Sequence, residues 1–248
     1  MNKINIRGVY FDDVDMNEAV ARCDELINSS DTPHTVHTPN AEIVQLCIEK
    51  PEHYELINSA SLIIPDGAGV ILAAKLLKTP LTKGKVAGVE LGDNLARLAS
   101  EKGYSIFLLG GKPANAEEGT PCVAEEAARK LAEKYPGLKV AGTNDGYFKD
   151  DAAIIEKINA SGADILYVCT GVPRQEKWMA AHRSELKVKL MLGLGGSLDI
   201  YSGMSKRAPK IFIKLGLEWL YRLLKEPWRL GRMMKLPKFV LGTLFSKN

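Results

Sequence analysis

Ile165-Leu166-Tyr167-Val168-Cys169-Thr170, followed at once by Gly171-Val172-Pro173-Arg174, is the stretch on which the fold turns. Its five leading residues are apolar without alternation, and a polar, glycine-containing turn closes the run. A strand that shows no apolar/polar alternation is buried on both faces, as in a parallel sheet with helices above and below. The same pattern recurs at 35–38 (TVHT), 62–65 (LIIP), 105–110 (SIFLLG), 138–143 (LKVAGT) and 189–194 (KLMLGL). Longer segments of helical character, such as Gly67 to Leu77 and Gly88 to Lys102, lie between them. Strand and helix in alternation predict an α/β fold, a Rossmann-like, mostly parallel sheet with helices on both faces.

The 248 residues suffice for one such domain, expected over 1–203, and an appendage over 204–248. A chain of this size buries roughly 70–75% of its unfolded surface, so a full apolar core is feasible. Cys23, Cys47, Cys122 and Cys169 are too far apart for a zinc or CxxC site and sit in apolar surroundings, which points to a reducing compartment. Asp12, Asp13 and Asp15 fall where a secretory signal needs its apolar region, so a cytoplasmic location is expected.

The appendage differs in charge. Residues 204–248 hold 11 of the 33 basic residues and 2 of the 30 acidic ones, Glu218 and Glu226, for a net +9 against −6 in the remainder. Arg207, Lys210, Lys214, Arg222, Lys225, Arg229 and Arg232 recur at helical steps. Phe212, Ile213, Leu217, Leu220, Trp228, Leu230 and Phe239 supply an apolar side. Pro227 and Pro237 are expected to cut the segment into about three short helices. No run reaches the roughly 18 apolar residues of a membrane span. The expectation is a tail that lies on an anionic membrane surface, peripheral on its inner face. The alternative is a helix pair packed on the domain with solvated lysines outside. Nucleic acid is not expected as a partner, because a stacking platform and recognised modules are lacking.

In parallel α/β sheets ligands bind beyond the carboxyl ends of the strands. Strand 35–38 runs into Thr38-Pro39-Asn40-Ala41-Glu42, whose hydroxyl and amide suit sugar hydroxyls or, alternatively, cap the next helix. Strand 62–65 runs into Pro65-Asp66-Gly67, where a carboxylate between a rigid residue and a flexible one can act as general base or as a turn residue. Gly110-Gly111-Lys112-Pro113 and Gly193-Leu194-Gly195-Gly196-Ser197 present glycine turns whose amides suit a diphosphate, though neither has a dinucleotide or P-loop spacing. Thr170 to Glu176 adds a further cluster of donors. Asp13-Val14-Asp15 resembles a metal-holding DxD, yet Asp15 with Glu18 reads better as a capping box. His34 and His37 fall on opposite strand faces and cannot share a metal.

Taken together, Thr38 to Glu42, Pro65-Asp66-Gly67, Gly110 to Pro113, Gly171 to Lys177, Arg207-Ala208-Pro209 and Gly216-Leu217-Glu218-Trp219 resemble the WecG/TagA/CpsF family of bacterial glycosyltransferases over nearly the whole chain. The resemblance implies an inverting, metal-independent transferase without a cofactor. Its closest branch moves N-acetylmannosamine from UDP-N-acetylmannosamine to undecaprenyl-diphosphate-linked N-acetylglucosamine in wall teichoic acid linkage-unit synthesis. It casts Asp66 as catalytic base, and Thr38, Asn40, Gln175 and the Gly110-Gly111 turn as substrate-binding groups. Arg222, Arg229 and Arg232 are cast as tail arginines that close over the donor diphosphate, so that the tail completes the active site. Two alternatives stay open: another UDP-sugar, such as a mannosaminuronate or glucose, and a noncatalytic membrane-binding module. The apolar tail face must be covered by lipid, by the domain or by a second copy in a homo-oligomer. The chain departs from the family pattern at Ala114 to Cys122, which reads as an insertion, and at Lys85 and Glu90, where Arg and Asp are expected.

Overall fold

The computed structural model describes residues 2–29, 32–225, 227 and 230–246. In chain order the elements are β1 (Lys3–Ile6), β2 (Val9–Asp12), α1 (Met16–Ile27), β3 (His34–His37), α2 (Ala41–Glu49), α3 (Glu52–Asn58), β4 (Leu62–Ile63), α4 (Ala68–Leu76), α5 (Gly88–Lys102), β5 (Ser105–Gly110) and α6 (Val123–Lys134). They continue with β6 (Lys139–Asn144), α7 (Asp151–Ser161), β7 (Ile165–Cys169), α8 (Arg174–His182), β8 (Leu190–Gly193), α9 (Ser197–Tyr201), α10 (Lys210–Lys214), α11 (Glu218–Lys225), α12 (Leu230–Met233) and α13 (Lys235–Leu244). All six expected strands are present, within one to two residues of their expected ends, and the architecture is α/β and Rossmann-like. The chain divides into two compact units. The first comprises Met1–Met16, Thr38–Ala87 and Arg207–Asn248; the second comprises Asn17–His37 and Gly88–Lys206.

The second unit carries β3, β8, β7, β5 and β6 side by side in that order, every pair parallel. Because side chains alternate along a strand, Leu166 and Val168 of β7 face one way and Ile165, Tyr167 and Cys169 the other. The first pair joins Phe107 and Leu109 of β5 in a cluster with Ile154, Ile155 and Ile158 of α7 and Trp178 and Met179 of α8. On the opposite face the buried Tyr167 hydroxyl donates to the Gly92 carbonyl of α5 at 2.6 Å. Both faces of β7 are therefore covered by helices, which is why the 165–169 run contains no charged residue.

The first unit opens with a β-hairpin that the apolar runs did not announce. β1 and β2 pair antiparallel, with Ile6 opposite Val9 and a two-residue turn at Arg7-Gly8. Both turn residues have positive φ, 54° and 90°, the geometry that matches the twist of a tight hairpin. Asp12 ties β2 to β4, its Oδ2 accepting the Ile63 N–H at 2.9 Å. The neighbouring Asp13 accepts from the Thr82 hydroxyl (2.6 Å) and the Lys83 N–H (3.1 Å). Burial alone would raise its carboxyl, but these two donors outweigh burial and hold it below the usual range. Its oxygens thus secure a turn, the opposite use to the metal-binding one a DxD suggests.

The tail joins the same unit and differs from expectation in its breaks. Gly216, at φ 71°, separates α10 from α11, and Pro227 lies between α11 and α12. Pro237 breaks nothing: it is the third residue of α13, in the first turn, where no intrahelical amide bond is forfeited. Among the described residues the tail forms four short α-helices where about three are expected, with the basic residues spread over them. α13 buries Phe239 fully and packs on α2 and α4. The contact is close: a Cβ on Gly69 of α4 would come within 2.5 Å of Leu236 Cδ1 and 2.8 Å of Ala41 Cβ. Lys235 and Lys238 then reach Glu49 at the far end of α2, at 3.6 and 2.6 Å. Much of the remaining apolar side is exposed, with Leu215, Leu224 and Phe245 at 66, 67 and 84%. Trp228 lies outside the described residues. Among them no helix is long and apolar enough to cross a membrane.

Candidate active site

Three segments of the first unit converge on Asp66. The Asp66 N–H donates to the Pro39 carbonyl at 3.4 Å, and the Val86 N–H donates to the Pro65 carbonyl at 3.0 Å. Gly67, at φ 89°, turns the chain into α4 and lies so that a Cβ there would be 3.9 Å from Asn40 Cβ. The Thr38-Pro39-Asn40 segment, the Pro65-Asp66-Gly67 turn and the Lys85-Val86 strap are therefore neighbours, and Asp66 stays partly exposed among them.

Asn40 performs the capping alternative. Its Oδ1 accepts from the Glu42 N–H (2.9 Å) and the Ile43 N–H (3.1 Å), closing the N-terminus of α2. The cap engages only the carbonyl oxygen, so a contact to substrate would fall to the side-chain amide as donor. Thr38 precedes it and is buried.

The tail reaches the same place. The turn at Gly216 sits against the start of α4, where a Cβ would come 2.8 Å from Ala68 Cβ, two residues beyond Asp66. Just after it, Glu218 receives the Lys85 ammonium at 2.9 Å on Oε2 and faces Arg207 Nε at 3.8 Å on Oε1. All three side chains are about one-quarter exposed. This triad was not foreseen: Lys85 and Glu218 are 133 residues apart in sequence. The available signal was that Glu218 is one of only two acids in a tail of eleven basic residues. Arg222 lies on α11 and Arg232 on α12, their side chains not being described, and Arg229 lies outside the described residues.

The other expected residues belong to the second unit. Gly110, at φ 142°, ends β5 where a Cβ would lie 2.4 Å from the Cys169 carbonyl oxygen, and Gly111 follows at φ 74°. The Gly111 N–H donates to Cys169 O at 3.4 Å, and Gly111 O accepts from Gly146 at 2.9 Å. The excursion after it leaves this turn undisturbed. Asn115 and Thr120 exchange two backbone bonds of 2.9 Å, and Val123 N–H donates to Lys112 O at 3.0 Å, closing the loop at its base. The chain thus enters α6 beside the turn it left.

Gln175 is 1% exposed, and both the oxygen and the nitrogen of its side-chain amide are hydrogen-bonded. Its Oε1 accepts from the Gly195 N–H at 3.0 Å, and its Nε2 donates to Glu176 Oε1 at 2.7 Å. Arg174 turns instead to the Gly146 carbonyl at 2.6 Å and the Phe148 ring, 4.9 Å from its centroid. Glu176, which the sequence did not single out, is 1% exposed, and burial pushes its carboxyl up to about 7.

The strand-end carboxylate of Asp66, the Asn40 amide and the Lys85–Glu218–Arg207 cluster beside the Gly216 turn place a candidate proton acceptor, an amide donor and two cations in one compact unit. The family profile described as glycosyl transferase WecG/TagA/CpsF matches residues 4–248. The chain belongs to this family. A Staphylococcus aureus (strain MRSA252) protein named N-acetylglucosaminyldiphosphoundecaprenol N-acetyl-beta-D-mannosaminyltransferase is 35% identical over 247 residues, 99% of this chain and 94% of that relative. A Bacillus subtilis (strain 168) protein of the same name is 35% identical over 209 residues, 84% of this chain and 78% of the relative. One from Bacillus spizizenii is 37% identical over 207 residues, again 84% of this chain. The protein is accordingly a glycosyltransferase, and its fold gathers Asp66 and the Gly216–Trp219 turn, which are distant in sequence, into one compact unit.

Proposed function

We propose that the protein transfers N-acetylmannosamine from UDP-N-acetylmannosamine to undecaprenyl-diphosphate-linked N-acetylglucosamine, with inversion and without a metal ion. The observation that supports the reading is the convergence of Asn40, Asp66 and the tail turn in a single unit of a chain whose relatives are named N-acetylglucosaminyldiphosphoundecaprenol N-acetyl-beta-D-mannosaminyltransferases.

In this reading the acceptor hydroxyl attacks the anomeric carbon of the donor as the bond to the diphosphate oxygen breaks. Asp66 accepts the hydroxyl proton. The bonding electrons leave on UDP, whose growing negative charge is stabilised by Arg222, Arg229 and Arg232 through bidentate phosphate contacts. Guanidinium groups do what a cation does elsewhere, in keeping with an Asp13 whose carboxylate is committed to Thr82 and Lys83. Thr38 and the Asn40 amide contact sugar hydroxyls, and the Gly110-Gly111 turn and Gln175 order their loops for binding.

The exposed Leu215, Leu224, Leu241 and Phe245 beside basic residues suit the tail to an anionic membrane surface, on the inner face where a lipid-linked acceptor would be met. Residues 204–248 thus serve as a membrane-associating appendage that also completes the site. A donor panel of UDP-N-acetylmannosamine, UDP-N-acetylglucosamine, UDP-glucose and UDP-N-acetylmannosaminuronate, assayed on a lipid-diphosphate N-acetylglucosamine acceptor with and without chelator, tests this. Transfer confined to the first donor and indifferent to chelator is expected. Preference for another sugar would move the assignment to a different surface polymer.

A further inference from the structure

Gln175 spans two loops at the carboxyl ends of neighbouring strands. It lies in the first turn of α8, just after the connection from β7, and its side-chain oxygen holds the Gly195 N–H in the turn between β8 and α9. The path is narrow. A Cβ on Gly193 would lie 2.8 Å from Gln175 Nε2 and 3.2 Å from Met179 Cε, so the strand end is bare where the carboxamide crosses it. An amide in that position can flip, exchanging its acceptor for its donor and losing the Gly195 bond. What prevents the flip is the group on its other side, Glu176 Oε1, which accepts from Nε2 at 2.7 Å.

We propose that Glu176 is a positioning residue for the glycosyl transfer: it fixes the orientation of Gln175, and through Gln175 the Gly193–Gly196 turn beside the end of β7. The inference rests on the transferase reading only for its effect on rate, since the geometry itself belongs to the second unit alone. Glu176 is buried, and its second oxygen, Oε2, has no hydrogen-bond partner among the described residues. An unpartnered carboxylate oxygen is costly to bury, whereas the neutral acid leaves Oε1 as a plain carbonyl acceptor at much lower cost. Burial favours that neutral form, raising the carboxyl to about 7, while the Gln175 bond and a backbone bond act in the opposite direction. Among the described residues no neighbouring charge contributes to the shift. Glu176 thus acts as an uncharged orienting group, and a glutamine in its place offers the same carbonyl acceptor.

The test compares Glu176→Gln with Glu176→Ala and Gln175→Ala in the full-length protein. Amide exchange at Gly195 reads the positioning directly, without reference to substrate. Protection of that amide is expected to match wild type in Glu176→Gln and to fall roughly tenfold or more in the two alanine variants, the loss of about one hydrogen bond. With UDP-N-acetylmannosamine and acceptor, kcat/KM is expected to stay within about threefold of wild type in Glu176→Gln and to drop at least tenfold in Glu176→Ala. If Glu176→Gln loses protection and turnover as severely as Glu176→Ala, the negative charge is what matters and the proposal is wrong. Unchanged protection at Gly195 in Glu176→Ala would overturn it as well. A wild-type protein that shows the expected exchange pattern but does not use this donor would refute the proposed substrate and leave the positioning role standing.

Discussion

Glu218 and Glu176 are both glutamates in the first turn of a helix, and the molecule treats them in opposite ways. Glu218 lies in the first unit between Lys85 and Arg207, partly solvated, its charge matched by two cations. Glu176 lies in the second unit with only an amide for company, shut away from solvent and pushed towards neutrality. The contrast extends further. The first unit fastens its tail with pairs such as Glu49 with Lys235 and Lys238, around one buried aromatic, Phe239. The second holds its loops with glycine turns and buried amides. A site that must admit a charged diphosphate suits the first construction, and a scaffold that must hold register suits the second.

The largest effect should come from the centre of the first unit. Asp66→Ala is expected to lower kcat by roughly two to four orders of magnitude, with an unchanged unfolding midpoint. Steady-state transfer assays and calorimetry on the same preparation check this, and wild-type turnover in the variant would remove Asp66 from the role of base.

Phe239→Ala asks whether the tail is truly part of that unit. Truncating a fully buried phenylalanine where α13 meets α2 and α4 should cost about 3–5 kcal/mol in denaturant unfolding. A loss below about 0.5 kcal/mol would mean that α13 is not docked in solution.

The pH dependence of stability separates Glu176 from Glu49. Glu176 has its folded value raised to about 7 from an ordinary 4.5. Its contribution is therefore complete below about pH 4.5 and is lost as pH rises through about 7, a total of roughly 3 kcal/mol. Urea titrations of wild type and Glu176→Gln between pH 4.5 and 8 should converge or cross by about that amount as pH rises. Parallel curves would show that Glu176 does not titrate in this window.

Glu49 has the reverse sign. The hydrogen bond from Lys238, then that from Gln45, holds its carboxyl down at about 2, so its contribution is present above about 4.5 and is lost as pH falls towards 2. The pair is partly exposed and screened, and Glu49→Gln should cost at most about 1 kcal/mol at low salt and less at high salt. A larger, salt-independent loss would mean that packing, not charge, secures that end of α13.

The same contrast explains what could be read in the chain. The buried strands were legible because a strand covered on both faces has no freedom in its composition, and 105–110 and 165–169 show it plainly. The hairpin at 3–12 is faint in the sequence although Ile4, Ile6, Val9 and Phe11 alternate around Arg7-Gly8, because four-residue strands make a weak pattern beside six-residue apolar runs. The Asp66 turn and the Asn40 segment could be found from strand-end position. That Asn40 caps a helix through Oδ1, leaving its amide nitrogen outside the cap, could not be decided from its residue type. Pro237 misled because proline halts a helix only beyond its first turn. The bridges from Lys85 to Glu218 and from Gln175 to Gly195 depend on how distant segments pack, which local patterning does not encode.

The central claim is that the tail brings the positive charge the reaction needs, beyond fastening the enzyme to a surface. It is tested most directly by replacing Arg222, Arg229 and Arg232 with alanine together and measuring kcat/KM on a water-soluble diphosphate-linked N-acetylglucosamine acceptor with no membrane present. A fall of about a hundredfold or more, roughly 3 kcal/mol of lost transition-state stabilisation, with an unchanged unfolding midpoint, is the expected result. Full activity on the soluble acceptor, with a deficit appearing only on vesicles, would contradict it and leave the tail as a tether.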